Sequence, residues 1–153
     1  MVRRNILAVI MVLALIGVVD SSYAMYQHYA PADISACDVN ETINCTAINQ
    51  SEYSAFFQIP VAGVGAAGYL LMAALATGMM TRRFRPNWAL SLLMASALVA
   101  VAFSAWLTYI ELFVLKAVCP LCVLSMTLVT TITVLLLVDV VRGRRSNRDG
   151  VRD

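Results

Sequence analysis

Charge is what this sequence has least of. Asp, Glu, Lys and Arg make up only 13% of its 153 residues, and 61% are hydrophobic. A soluble domain carries about 25% charged residues, so a mean hydropathy of +0.79 excludes a water-soluble globule. The formal net charge of +2 gives no reason to expect a nucleic-acid partner. Histidine occurs once and cysteine 4 times, so, with 8 methionines, the inventory of reactive or soft side chains is short. Internal repeats and low-complexity tracts are lacking, and too few residues follow the last apolar run to form a second soluble domain.

What is present is four long apolar runs, over residues 5–29, 60–81, 87–115 and 117–141. Each exceeds the roughly 20 residues a helix needs to cross about 30 Å of hydrocarbon. Backbone polar groups cannot stay unpaired in lipid, so these runs must be helical. The expected fold is an all-α integral membrane protein, a bundle of four transmembrane helices. It has a loop over 30–59 and a tail over 142–153.

The basic residues set the orientation. Arg3, Arg4, Arg82, Arg83, Arg85, Arg142, Arg144, Arg145, Arg148 and Arg152 all fall on one side of a four-span topology. Segment 30–59, on the other side, has no Lys or Arg and carries Asp33, Asp38, Glu41 and Glu52. The positive-inside rule then makes both termini cytoplasmic and turns loop 30–59 and the turn around Lys116–Cys119 outward. A competing parse takes Arg3-Arg4, the apolar stretch Ile6–Val19 and Ser22-Tyr23-Ala24 as a cleaved secretory signal. Cleavage would leave three helices and the same outward loop.

Small residues suit close helix packing in lipid. The second run offers Ala62, Gly63, Gly65, Ala66, Ala67 and Gly68, and the third Ala95, Ser96, Ala97, Ala100, Ala102, Ser104 and Ala105. Asp20, Glu111 and Asp139 lie in or near the spans, where a charge costs several kcal/mol to bury. A structural pairing or assistance in proton transfer both suit Asp20, whereas Asp139 can snorkel. Trp106 and Tyr109 read as interfacial anchors. Asn40-Glu41-Thr42, Asn44-Cys45-Thr46 and Asn49-Gln50-Ser51 match the glycosylation pattern, although sugar beside Cys45 would obstruct its chemistry.

All four cysteines fall on the outward side, where disulfides persist. Cys37 and Cys45, eight positions apart, can close a small ring in the loop. Cys119-Pro120-Leu121-Cys122 is a C-x-x-C at a helix start. Proline is favoured at the first helical position, which puts Cys119 at the N-cap and Cys122 in the first turn. The positive end of the helix dipole then lowers a thiol pKa, and Lys116 would act in the same direction. A four-cysteine zinc site normally uses two short-spaced knuckles, which these spacings do not supply; no metal is expected. Two inert structural disulfides are the other alternative, but the tight C-x-x-C ring staples distant segments poorly. A thiol relay passing electrons from the loop pair to the helix pair and on to a lipid-soluble carrier, such as a quinone, fits best.

Four spans, a C-x7-C loop, Ser51 six positions after Cys45, Pro60-x4-Gly65 and a C-x-x-C opening the fourth helix together resemble the vitamin K epoxide reductase family, in its bacterial and archaeal disulfide-forming branch. Asp20-Ser21-Ser22-Tyr23 and His28 are also similar to microbial members. The resemblance implies that Cys37 exchanges with a separate thioredoxin-like (DsbA-like) exported protein and that Cys45 attacks Cys119. It implies further that Cys122 lies nearest a quinone of ubiquinone or menaquinone type and that Ser51 positions the loop. It also implies a multi-pass protein of the inner, cytoplasmic membrane that oxidises dithiols and reduces the quinone. Many bacterial members carry a fused thioredoxin-like domain; none is expected here, so the resemblance implies a separate partner. In vertebrate members an asparagine and a tyrosine contact the quinone; Val61 and Met126 occupy those positions here and cannot donate the hydrogen bonds. Asp20, Val61, Gly65 and Met126 are the candidate quinone or proton-transfer contacts. The alternatives are the same relay run in reverse, as a quinone or quinone-epoxide reductase, and a non-catalytic tetraspan protein stapled by two disulfides.

Overall fold

The computed structural model describes residues 2–30, 38, 43–51, 54–56, 59–84 and 86–149. Four helices in it are long and apolar enough to cross a membrane: Arg4–Tyr29, Val61–Met80, Asn87–Leu115 and Pro120–Arg142. The protein is an all-α, multi-pass membrane bundle.

Helix α1 (Val2–Tyr29) is followed by a short helix α2 (Cys45–Asn49) and two two-residue strands, β1 (Ala55–Phe56) and β2 (Ile59–Pro60), paired antiparallel. Helix α3 (Val61–Met80) and helix α4 (Pro86–Ile110) come next. A π-helical turn (Glu111–Leu115) then leads towards α5 (Pro120–Asp149). The loop expected over 30–59 thus contains ordered elements at its described positions. The fourth helix starts at Pro120 rather than 117, because proline lacks the N–H that a first helical residue would leave unpaired. It also continues past the membrane span to Asp149, so most of the segment expected as a tail is helical.

Helix α3 stops in a turn that its own backbone closes. The N–H of Arg83 bonds Gly78 O at 2.9 Å and the N–H of Arg82 bonds Met79 O at 3.3 Å, with Arg82 left-handed at φ 56°. That is a Schellman cap. It folds Phe84 back onto Gly78, where a Cβ would stand 2.1 Å from the ring, so glycine is required.

The core lies along the bundle axis. Ile10 and Ala14 of α1 pack with Tyr69, Met72, Ala73 and Ala76 of α3, and with Leu128, Val129, Ile132 and Leu136 of α5. Helix α4 contributes Ala89, Leu93 and Ala97, spaced four apart on one face. Ala95, Ala102 and Ala105 of the same helix are exposed, so only part of its small-residue set faces the bundle. Val19, Val99 and Phe113, each about two-thirds exposed, are the lipid-facing counterpart. Trp88, Trp106 and Tyr109 are also more than half exposed, as interfacial anchors would be.

Gly17 lets α1 seat directly against the Tyr69 ring of α3. A Cβ there would lie 2.5 Å from the Tyr69 ring. Tyr69 cannot yield, since it is buried and its hydroxyl donates to Ser125 O at 2.9 Å while meeting Ser125 Oγ at 2.9 Å. Gly17→Ala is therefore expected to destabilise the bundle by about 1–3 kcal/mol through overpacking, read as a lower thermal midpoint in detergent. Gly68→Ala is its control, because a Cβ at Gly68 meets nothing within 4 Å.

Candidate active site

Three short local structures bring the described cysteines together at one end of the bundle. The first is the start of α5. The carbonyl of Cys119 accepts the N–H of Val123 at 3.1 Å, which makes Cys119 the N-cap. The second is an isolated parallel bridge between Ile43 and Val118, which lays the residues before α2 beside those before α5. The third is α2 itself, whose first residue is Cys45.

Their result is a sulfur contact. Cys45 Sγ lies 3.3 Å from Cys119 Sγ, and both residues are fully buried. Cys45 is disulfide-bonded, whereas Cys119 and Cys122 are free thiols. Cys37 lies outside the described residues. Ile48, Ala117 and Cys119 wrap Cys45 in a small apolar cluster, with Leu115, Leu121 and Cys122 packed against it, so the sulfurs meet away from bulk solvent.

The Cys119 thiol is held below the ordinary thiol range. The main cause is the Cys122 thiol acting as a hydrogen-bond donor to its sulfur, helped by the backbone N–H groups of Cys122 and Leu121. Burial and the Glu111 carboxyl oppose this without reversing it. These donors are the unpaired N–H groups of a helix N-terminus, which stabilise a thiolate. Lys116, expected to assist, instead points outward as an exposed, left-handed residue with φ 52°, closing the π-helical turn. The charged group acting on Cys119 is Glu111, of opposite sign.

The segment carrying Cys45 is fastened to the end of α1 by polar contacts. Asn49 Nδ2 donates to Gln27 Oε1 at 3.1 Å, and Gln50 Nε2 donates to Ala30 O at 2.9 Å. His28 Nδ1 donates to Asn49 O, which fixes its tautomer, and Ser54 Oγ lies 3.3 Å from the same nitrogen. Thr46 N–H is capped by Asp38 Oδ1 at 3.1 Å. Ser51 Oγ donates to Ile48 O at 2.8 Å, closing the end of α2.

Beneath the cysteines is a cavity of about 130 Å³, lined by residues of all four long helices. Cys122, Glu111, Asp20, Val61, Gly65 and Ser51 all face it. The structure therefore gathers five candidates, Cys122, Asp20, Val61, Gly65 and Ser51, around one space, while Cys45 and Cys119 sit just behind. Met126 does not line this cavity. It lies one helical turn beyond Cys122, farther along α5. Asp20 is 7% exposed, and its Oδ1 has no hydrogen-bond partner among the described residues. A buried polar atom left that way is costly, so the pairing considered for Asp20 is not present at that oxygen. Gly65 lets α3 approach α1: a Cβ would come 3.2 Å from Ser21 Oγ.

Glu111 is the residue that sequence reasoning left out of the site. It was visible only as an ionisable group near the end of a span, and the π-helical turn that directs it inward has no sequence signature. His28, Gln27 and Asn49, the loop anchors, carried no stronger signal. Among the described residues no cluster of three or more metal-ligating side chains occurs.

The vitamin K epoxide reductase family model matches residues 8–137, which takes in the described cysteines, the cavity and all four spans. No individual curated protein matches the chain closely. With the family match extending over most of its length, the chain belongs to the vitamin K epoxide reductase family of membrane oxidoreductases, whose chemistry is thiol–disulfide exchange linked to quinones.

Proposed function

We propose that this protein is a membrane thiol oxidase that re-oxidises a separate thioredoxin-like, DsbA-like exported protein and passes the electrons to a membrane quinone. The observation that carries this reading is the 3.3 Å contact between the disulfide-bonded Cys45 and the free thiol of Cys119, with Cys122 opening on the cavity. Reacting atoms held 3–3.5 Å apart are in near-attack geometry. Both cytoplasmic termini and the outward cysteines follow from the arginine distribution.

In this scheme the partner's dithiol reduces a Cys37–Cys45 disulfide. The Cys45 thiolate attacks Cys119 of a Cys119–Cys122 disulfide and expels the Cys122 thiolate. Cys37 then attacks Cys45, restoring the loop disulfide and leaving Cys119 and Cys122 reduced. A disulfide at Cys45 beside two free thiols is the state expected at that point. The quinone takes two electrons and two protons from the Cys119–Cys122 dithiol and leaves as quinol. Asp20, Val61 and Gly65 would line its site and Ser51 would hold the loop above it.

The test supplies membranes containing the protein with a reduced thioredoxin-like protein and follows quinone absorbance. Quinol should form in step with partner oxidation. Absence of quinol with both ubiquinone and menaquinone analogues would overturn the oxidase reading.

A further inference from the structure

Glu111 is 4% exposed and faces both reaction partners of the final step. Its carboxyl interacts with the Cys122 thiol and with the backbone N–H of Cys119, and it lines the cavity beside Cys122. The backbone is shaped to put it there. Helix α4 ends at Ile110 and the π-helical turn begins at Glu111 itself; the N–H of Ala117 closes on Glu111 O at 3.2 Å and Lys116 takes up left-handed φ 52°. A π turn with a left-handed non-glycine residue is an uncommon combination, kept where it directs a side chain that is used. A carboxyl at membrane depth is likewise costly unless it has a task.

Resting on the quinone-reducing reading above, we infer that Glu111 is the base that takes the proton of the Cys122 thiol and delivers it to an oxygen of the quinone. The balance is complete within the site. As Cys122 gives up its S–H proton to the Glu111 carboxylate, its sulfur becomes the electron-pair donor. The Cys119–Cys122 bond forms, and two electrons pass to the quinone. Glu111 returns to carboxylate by protonating one quinone oxygen, and the Cys119 thiol supplies the proton for the other. Cys119 and Cys122 are the titratable groups that meet Glu111, and Asp20 and His28 line the same cavity from α1. Among the described residues neither Asp20 nor His28 has such a contact with either thiol, which assigns the proton from Cys122 to Glu111.

Glu111→Gln keeps the side-chain size and removes the base. Quinone reduction should slow about 10²-fold, the usual share of a general base, and Glu111→Asp should recover part of that loss. The wild-type rate should fall as pH is lowered and the carboxylate becomes protonated, and Glu111→Gln should lose that limb. Alkylation of Cys122 by iodoacetamide needs no quinone and should quicken about tenfold in Glu111→Gln, because the thiolate is the reacting form and the neighbouring carboxylate, which opposes a second negative charge, is gone. A Gln variant that reduces quinone within about threefold of wild type, or an Asp variant no faster than Gln, overturns the assignment. If Glu111→Gln does not fold, the Asp variant and the wild-type pH limb decide. If the wild type forms no quinol, the redox reading fails separately, and the alkylation rate still decides whether Glu111 holds the Cys122 proton: no rise in Glu111→Gln overturns the assignment.

Discussion

Replacing Cys122 by alanine should abolish quinol formation, by about 10³-fold or more, while leaving the loop able to exchange with Cys119. The expected loss is large because the two free thiols are not equivalent. Cys122 lines the cavity; Cys119 is fully buried behind it, against Cys45. Once the sulfur facing the cavity is gone, no other described cysteine can reach an acceptor there, and removing a nucleophile takes away the whole pathway. A second effect follows from the electrostatics. The Cys122 thiol is the main reason that Cys119 is held below the ordinary thiol range. In Cys122→Ala the pH at which Cys119 becomes reactive should therefore move upward. Quinone absorbance measures the first effect, and alkylation of Cys119 across a pH series measures the second. Quinol production at more than a tenth of the wild-type rate would mean that electrons leave by a route other than Cys122.

Replacing Cys37 by alanine should trap the intermediate of the relay as a Cys45–Cys119 crosslink. In this chain Cys45 has no loop partner. Its thiolate, 3.3 Å from Cys119 Sγ, attacks the Cys119–Cys122 disulfide, and nothing on the loop side resolves the product. Effective molarities of about 10⁵ M or more for well-placed groups leave millimolar small thiols unable to compete. The trapped bond is reversed when the Cys122 thiolate attacks Cys119, re-forming Cys119–Cys122 and expelling Cys45. It should therefore accumulate further when Cys122 is also alanine and an oxidant is supplied. Non-reducing digestion and mass spectrometry should find the peptides of Cys45 and Cys119 joined in more than about half of the chains in that double variant. A crosslink joining Cys45 to Cys122 would contradict the order of transfer.

Most of the architecture was legible because it depends on composition and length. Four runs long enough to span a bilayer leave helices as the sole solution for backbone polar groups, and those runs match the four spans to within a few residues. Pro120 and Cys119 were legible for a local reason: proline fixes the first helical position, and the preceding residue becomes the cap. The glycines were not. Gly63, Gly65 and Gly68 looked equivalent, yet Gly65 meets Ser21 while Gly68 meets open space, and the tightest contacts belong to Gly17 and Gly78. Which small residue matters depends on the rotation of its helix and on the side chain opposite, and neither is a local property.

The site divides in the same way. The sequence by itself determined which atoms can do the chemistry: four cysteines in two pairs, one of them at a helix start, with a charge distribution from which the positive-inside rule expects them on one side of a membrane. Only the tertiary structure decided which of them meet and which carboxyl stands beside them. Cys45 meets Cys119 because residue 43 pairs with residue 118, a contact between segments 75 positions apart in sequence. Glu111 meets Cys122 because a π turn rotates one residue out of the regular helical pattern. Reactivity of a thiol depends on what stands within a few ångströms of its sulfur, and at that range neighbours are chosen by packing of distant segments rather than by adjacency along the chain.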